Sequence, residues 1–196
     1  MRRNATSCPR NMGLYTSAGF TLMELMVVMA VLGILSFWAV PGMNGMIQNA
    51  EAKAEIRALT SAINDARHQS IHTRIPHTLC PLDTSNRCKT QWRNPLTLFL
   101  DFNRNRRLDS GESVLRTIPA AKANVFRNYP RTAFSFDPRG FAGGFNGSFQ
   151  YCYTDTRGRQ HGKVLIVSRQ GRVREGRDTD DSGLPELPNN QDVTCF

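Results

Sequence analysis

The chain has 196 residues, 40% hydrophobic and 21% charged, the balance of a folded chain of ordinary domain size rather than a disordered or multi-spanning one. Twenty-five Lys and Arg against sixteen Asp and Glu give +9, and arginine supplies most of the excess, since the lysines are Lys53, Lys89, Lys122 and Lys163 alone. Guanidinium groups engage phosphate and carboxylate in a bidentate manner, so this surface suits a polyanionic partner, with an anionic membrane surface as the alternative.

The first element is an apolar run, Phe20–Val40, of 21 residues with one charge, Glu24. As a helix it would measure about 31 Å, enough for the roughly 30 Å hydrocarbon core of a bilayer. The segment before it carries Arg2, Arg3 and Arg10 and no acid, so the positive-inside rule holds it in the cytoplasm and sends the remainder across. A secretory signal would have a shorter apolar stretch and a small-x-small cleavage site. A carboxylate within such a run is costly and marks a specific partner.

The residues Gly19-Phe20-Thr21-Leu22-Met23-Glu24 resemble the processing site of type IV prepilins and pseudopilins. The resemblance implies that a prepilin peptidase of the inner membrane cuts between Gly19 and Phe20 and methylates Phe20. It also implies that Glu24 pairs with the N-terminal amine of a neighbouring subunit during assembly, which would give the buried carboxylate its cation. Pro41 falls where many pilins kink the helix. The expected organisation is a leader over 1–19 that is removed, a transmembrane half-helix over 20–40, an amphipathic half-helix over 41–72, and a β-rich periplasmic domain over 73–196.

Within the amphipathic half, Ala52, Ile56, Leu59, Ile63 and Ala66 recur at spacings of four and three, with Glu51, Lys53, Glu55, Arg57 and Asp65 off that stripe. The helix should stop before Pro76. His68 and His72 are i, i+4 neighbours with no third metal ligand nearby, which predicts exposed helix residues rather than a metal clamp. Beyond Pro76 the period changes to two. The predicted strands are Leu96–Phe102, Ser113–Ile118, Ala133–Asp137, Ser148–Tyr153, Lys163–Ser168 and Gly171–Glu175, separated by turns such as Asp137-Pro138-Arg139-Gly140. One long helix on an antiparallel β-sheet is an α+β fold, the arrangement of type IV pilins. The stretch from Asp178 to Phe196 is polar and predicted irregular.

Cys8 would leave with the leader, and the remaining four cysteines, Cys80, Cys88, Cys152 and Cys195, allow three pairings. Their spacing does not suit zinc, and export to an oxidising compartment favours disulfides. We expect Cys80–Cys88 and Cys152–Cys195, the second fastening the tail to the sheet much as major pilins close a C-terminal disulfide loop.

The segment Lys163–Arg177, KVLIVSRQGRVREGR, joins an apolar strand through a tight turn to a short basic one. Arg172 and Arg174 are two apart, so a strand would place them on one face about 6.8 Å apart, near two steps of a nucleic-acid strand. Arg157, Arg159, Lys163, Arg169 and Arg177 surround them. Taken with Phe136-Asp137-Pro138-Arg139-Gly140 and the prepilin site, the ending Gly171-Arg172-Val173-Arg174 is similar to the FimT/GspH class of minor pilins and pseudopilins. FimT-type members bind DNA for uptake in natural transformation through these arginines. The resemblance therefore implies Arg172 and Arg174 as main phosphate contacts on double-stranded DNA, supported by Arg169, Lys163 and Arg177. GspH pseudopilins of type II secretion share much of this pattern, and edge strands also carry charge simply to block aggregation. The acids Asp178, Asp180, Asp181, Glu186 and Asp192 could screen the basic strand if Cys195 joins Cys152.

A second constellation, Asp101-Phe-Asn103-Arg-Asn105-Arg-Arg107-Leu-Asp109-Ser-Gly-Glu112, puts oxygen ligands at positions 1, 3, 5, 9 and 12 of an EF-hand-like calcium loop. Arg106 stands where such a loop needs glycine, and Arg104 and Arg107 add positive charge. The alternative is a plain connection between two strands, with no cofactor. No phosphate-cradling glycine loop, nucleophile elbow or HExxH motif is present, and we expect no enzyme. Phe141 and Phe145 in the glycine-rich stretch 140–147 predict a packed loop.

Overall fold

The computed structural model describes residues 19–155 and 158–195, with the backbone alone over 37–44. Residues 1–18 of the expected leader, with Cys8, the Pro41 side chain and Arg157 lie outside the described residues. A single helix, α1, spans Leu22–Thr73, and the chain divides into two compact units, one up to Gly42 and one from Met43 onward.

In the first unit α1 opens on Thr21, whose Oγ1 accepts the Glu24 N–H at 3.2 Å, so Glu24 stands in the first turn where a carboxylate complements the helix N-terminus. Phe20, Leu22, Met23, Leu25, Met26, Val27, Val28, Met29, Val31, Leu32, Ile34 and Leu35 all expose their side chains, so this part of the helix is apolar all round. Among the described residues no helix is long and apolar enough to cross a membrane. The expected span, 20–40, leaves the residues with described side chains after Ser36.

In the second unit α1 turns the stripe Ala52, Ile56, Leu59, Ile63 and Ala66, with Ala62, into the core. The strands β1 (His77–Pro81), β2 (Leu96–Leu100), β3 (Val114–Ile118) and β5 (Phe134–Phe136) form one antiparallel sheet in the order β3-β2-β1-β5. A second antiparallel sheet takes β4 (Val125–Asn128), β6 (Gly147–Thr154), β7 (Gln160–Val167) and β8 (Val173–Glu175) in the order β4-β6-β7-β8. The fold is α+β, and the strands the sequence predicts divide between two sheets.

Helix and both sheets meet at an aromatic group. Trp92 packs edge-on to Tyr129, Phe134 and Phe149, with ring centroids 5.4, 5.3 and 5.8 Å away. Beside it Arg127, almost fully buried, forms an ion pair with Glu55 of α1 and donates to the Pro119 carbonyl at 3.0 Å. The Tyr151 hydroxyl donates to the other Glu55 oxygen at 2.6 Å. A buried cation is tolerable only with such partners. Burial pushes the Tyr151 hydroxyl up to about 12.

Disulfides join Cys80 to Cys88 and Cys152 to Cys195. The first closes a short hairpin after β1. The second lays the tail over the outer face of β6 and β7, where Val193 and Leu184 pack on Val164. A β-carbon at Gly162 would lie 2.5 Å from Val193 Cγ1, so glycine there admits the tail. His68 and His72 are exposed on α1.

Candidate nucleic-acid interface

The β7–β8 connection is a tight hairpin. Ser168 N donates to the Arg172 carbonyl and Gly171 N to the Ser168 carbonyl, both at 2.9 Å. Gly171 sits at φ +77, and a β-carbon there would lie 2.2 Å from the Gly140 carbonyl oxygen, so only glycine fits. The turn docks on the Asp137–Phe141 loop: Ala142 N donates to the Arg169 carbonyl at 3.0 Å, and Arg67 Nε of α1 donates to the Gly140 carbonyl at 3.0 Å. Arg67 thus stands beside the basic hairpin. Arg67 lies about a hundred residues away in sequence, and no local pattern marks it. Arg139 lies in a turn already quoted above, but there it pairs with Asp137 at 3.1 Å and covers the ring of Phe141.

Cross-strand register separates the cations onto two faces. Arg174 lies opposite Ile166, and Val173 opposite Val167. Val167 belongs to the core on the α1 side and Ile166 packs under the tail, so Arg174 faces away from the helix, while Arg172 sits in the turn just before β8. Lys163 alternates with Leu165 and Val167 on the α1 side, where its Nζ lies 3.7 Å from Glu175. The structure therefore moves Lys163 off the arginine face. Arg159 is likewise occupied, 2.9 Å from the buried carboxylate of Asp155.

Arg169, Arg172, Arg174 and Arg177 are all exposed. Among the described residues none of the four forms an ion pair, and Arg172 Nη2 reaches only the Gln170 side chain at 3.3 Å. Three of the five tail acids are engaged with the backbone of their own segment: Asp178 accepts Gly183 N at 2.8 Å, Asp180 accepts Ser182 N at 3.0 Å, and Glu186 accepts Thr179 N at 2.7 Å. The Ser182 N–H holds the Asp180 carboxyl below the usual range, and Thr179 does the same for Glu186. Carboxylate oxygens of Asp178, Asp180 and Glu186 come within 4.8 Å of one another. The acidic segment thus lies beside the hairpin without pairing to its arginines.

The Asp101–Glu112 loop joins β2 to β3. Asp101 is fully buried, with Oδ2 accepting from Thr78 Oγ1 at 2.8 Å and from Arg106 N at 3.2 Å. Arg104 and Arg106 both take left-handed backbone, φ 59 and 56, so Arg106 adopts the turn that the sequence pattern reserves for glycine. That costs roughly 1–2 kcal/mol per residue. Asn103 and Asn105 donate to Asp109 Oδ2 at 3.0 and 2.8 Å and hold its carboxyl below the usual range. In the glycine-rich stretch Phe145 packs against Phe99 and Ala133, whereas Phe141 is exposed, a correction to the packed loop expected there.

The family model described as "Type II transport protein GspH" matches residues 55–171, more than half of the chain. This chain belongs to the GspH family. The model for the prokaryotic N-terminal methylation motif matches residues 15–40, which include Gly19, Phe20 and Glu24. No curated protein matches the chain. The type IV minor pilin FimU of Pseudomonas aeruginosa is similar in two crystal forms. One has TM-score 0.49 and 17% identity over 66% of this chain and 90% of FimU, and the other 0.46 and 16% over 64% and 92%. With its methylation motif, this GspH-family chain is a minor pilin or pseudopilin, a membrane-anchored, periplasm-facing subunit that works among other pilin-like subunits. The GspH match ends at Gly171, one residue before Arg172.

Proposed function

We propose that this GspH-family subunit is a minor pilin of a type IV pilus that binds DNA without sequence preference through its last hairpin, for uptake in natural transformation. In this reading prepilin peptidase removes residues 1–19 at Gly19–Phe20, the segment 20–40 anchors the chain in the inner membrane, and Glu24 meets a neighbour's N-terminal amine as α1 enters the fibre. The observation that carries the reading is the exposure of Arg169, Arg172, Arg174 and Arg177 with no acidic partner among the described residues. Phosphate contacts of this kind confer affinity and salt dependence but read no bases.

The test is fluorescence anisotropy of the full chain in detergent with duplex DNA between 50 and 200 mM salt. Three to four phosphate contacts predict a fall in affinity of about 40- to 150-fold over that range, and Arg172→Ala/Arg174→Ala should lower the log–log slope by about 2. A second reading, a type II secretion pseudopilin whose hairpin arginines are edge-strand charges, draws support from the family description and from a match that ends before Arg172. No binding at 50 mM salt, or binding indifferent to the double substitution, would favour it.

A further inference from the structure

We propose that the β2–β3 connection, Asp101–Glu112, binds one calcium ion per chain. The decisive observation lies beneath the loop rather than in it. The Asp101 side chain is completely buried, and its Oδ1 has no hydrogen-bond partner among the described residues. A buried carboxylate oxygen without donor or cation is costly. The carboxylate stands at the floor of the loop, its other oxygen shared between the Arg106 N–H of the loop at 3.2 Å and the Thr78 hydroxyl of β1 at 2.8 Å. A cation seated in the loop would supply the missing partner.

The rest of the donor set is oxygen only. Asn103 Oδ1 and Asn105 Oδ1 each accept one backbone N–H, from Asn105 at 3.1 Å and Arg107 at 2.8 Å, which leaves each a lone pair. Asp109 Oδ2 accepts the two amide groups, and Glu112 accepts Phe102 N at 2.9 Å and Asp109 N at 3.1 Å through its two oxygens. Three carboxylates and two amide oxygens at positions 1, 3, 5, 9 and 12 form a hard, flexible, many-oxygen set, which suits calcium better than the strict octahedron of magnesium. The arginines do not close it. Arg106 is drawn off over the ring of Phe145, 5.4 Å from its centroid, and only Arg107 reaches Asp109, at a loose 3.7 Å.

The loop is braced from outside by the disulfide hairpin, with Cys88 N donating to the Arg106 carbonyl at 2.9 Å and Leu108 N to the Asn86 carbonyl at 2.8 Å. The scaffold around the ligands is therefore fixed with or without the ion. Sites of this charge in extracellular modules bind at about 0.1–1 mM, so the loop would fill outside the cytoplasm and empty within it.

The experiment is isothermal titration of the chelator-stripped full chain in detergent with calcium chloride and with magnesium chloride, alongside thermal melts. The expected result is one calcium per chain at about 0.1–1 mM, weaker magnesium, and a melting temperature about 3–6 °C higher at ten times Kd. Glu112→Gln and Asp109→Asn, near-isosteric changes at half-buried positions, should each weaken binding at least about tenfold. Asp180→Asn, in the tail cluster, should leave it unchanged. No calcium binding up to 10 mM (about ten times the weakest expected Kd) would overturn the site, as would binding that survives both loop substitutions or that Asp180→Asn abolishes.

Discussion

Removing the Cys152–Cys195 bridge should be the most damaging change available in the tail. The bond closes a separation of 43 residues, for which the chain-entropy model gives about 4 kcal/mol, against about 2.5 kcal/mol for the separation of 8 closed by Cys80–Cys88. If the freed tail also lifts from β7, the burial of Val193 is lost, worth about 1.5–3 kcal/mol more. Cys152→Ala/Cys195→Ala should therefore lower stability by about 4 to 7 kcal/mol. At about 2–4 °C per kcal/mol for a chain of this size, the melting temperature should drop by at least about 8 °C. Alanine is the right replacement because both positions are buried and a serine would bring in a hydroxyl without a partner. Circular-dichroism melts of the full chain in detergent give the shift, and trypsin cleavage after Arg177 reports whether the tail has come away. A drop no larger than that of Cys80→Ala/Cys88→Ala would refute the reasoning, since it would show that loop length does not set the loss.

Gly171→Ala should cost at least about 2 kcal/mol, because the new β-carbon would occupy left-handed backbone 2.2 Å from the Gly140 carbonyl oxygen; a melt indistinguishable from the unsubstituted chain would mean the hairpin is not docked on that loop. Tyr151 titrates near 10 when unfolded and at about 12 when folded, chiefly through burial. A raised folded value means its stabilisation is intact below pH 10 and lost as pH rises from 10 to 12. Tyr151→Phe should flatten that part of the stability–pH curve and, by removing a hydrogen bond to Glu55, cost about 1.5–3 kcal/mol at neutral pH, both measurable by denaturant titration. Glu24→Ala should still be cleaved and methylated yet enter fibres poorly, as fibre fractions and mass spectrometry would report; incorporation at the normal level would sink the pairing with a neighbour's amine.

Much of the scaffold was legible because its signals are local. The stripe Ala52, Ile56, Leu59, Ile63 and Ala66 is the face that α1 buries, and the helix ends at Thr73, before Pro76. Two strands escaped notice for opposite reasons. β1 is central in its sheet and buried along its whole length, yet His77-Thr78-Leu79-Cys80-Pro81 shows no alternation because His77 and Thr78 are satisfied by hydrogen bonds rather than exposed. β4 alternates, but with Arg127 on the inner side, a charge that only its ion pair with Glu55 makes tolerable. At the candidate interface the alternation of the last strand gave the face of Arg174, whereas Arg172 stands outside β8, in the turn. The alternation could not give the turning of Lys163 toward Glu175 on the opposite side, which depends on the pairing of β7 with β8. The engagement of Asp178, Asp180 and Glu186 with their own backbone was equally invisible, since it arises from turns closed by residues 178–186.

The contact of Glu55 with both Arg127 and Tyr151 has a geometric consequence. It ties one residue of α1 to two strands of the second sheet, so a rotation of the helix by a single residue, about 100°, would break both bonds and strand a buried guanidinium. The helix is thereby indexed to the sheet in angle as well as in height, within the unit that begins at Met43. Within that unit the β8 edge, with the exposed Arg174 on it, therefore keeps one bearing from the helix axis.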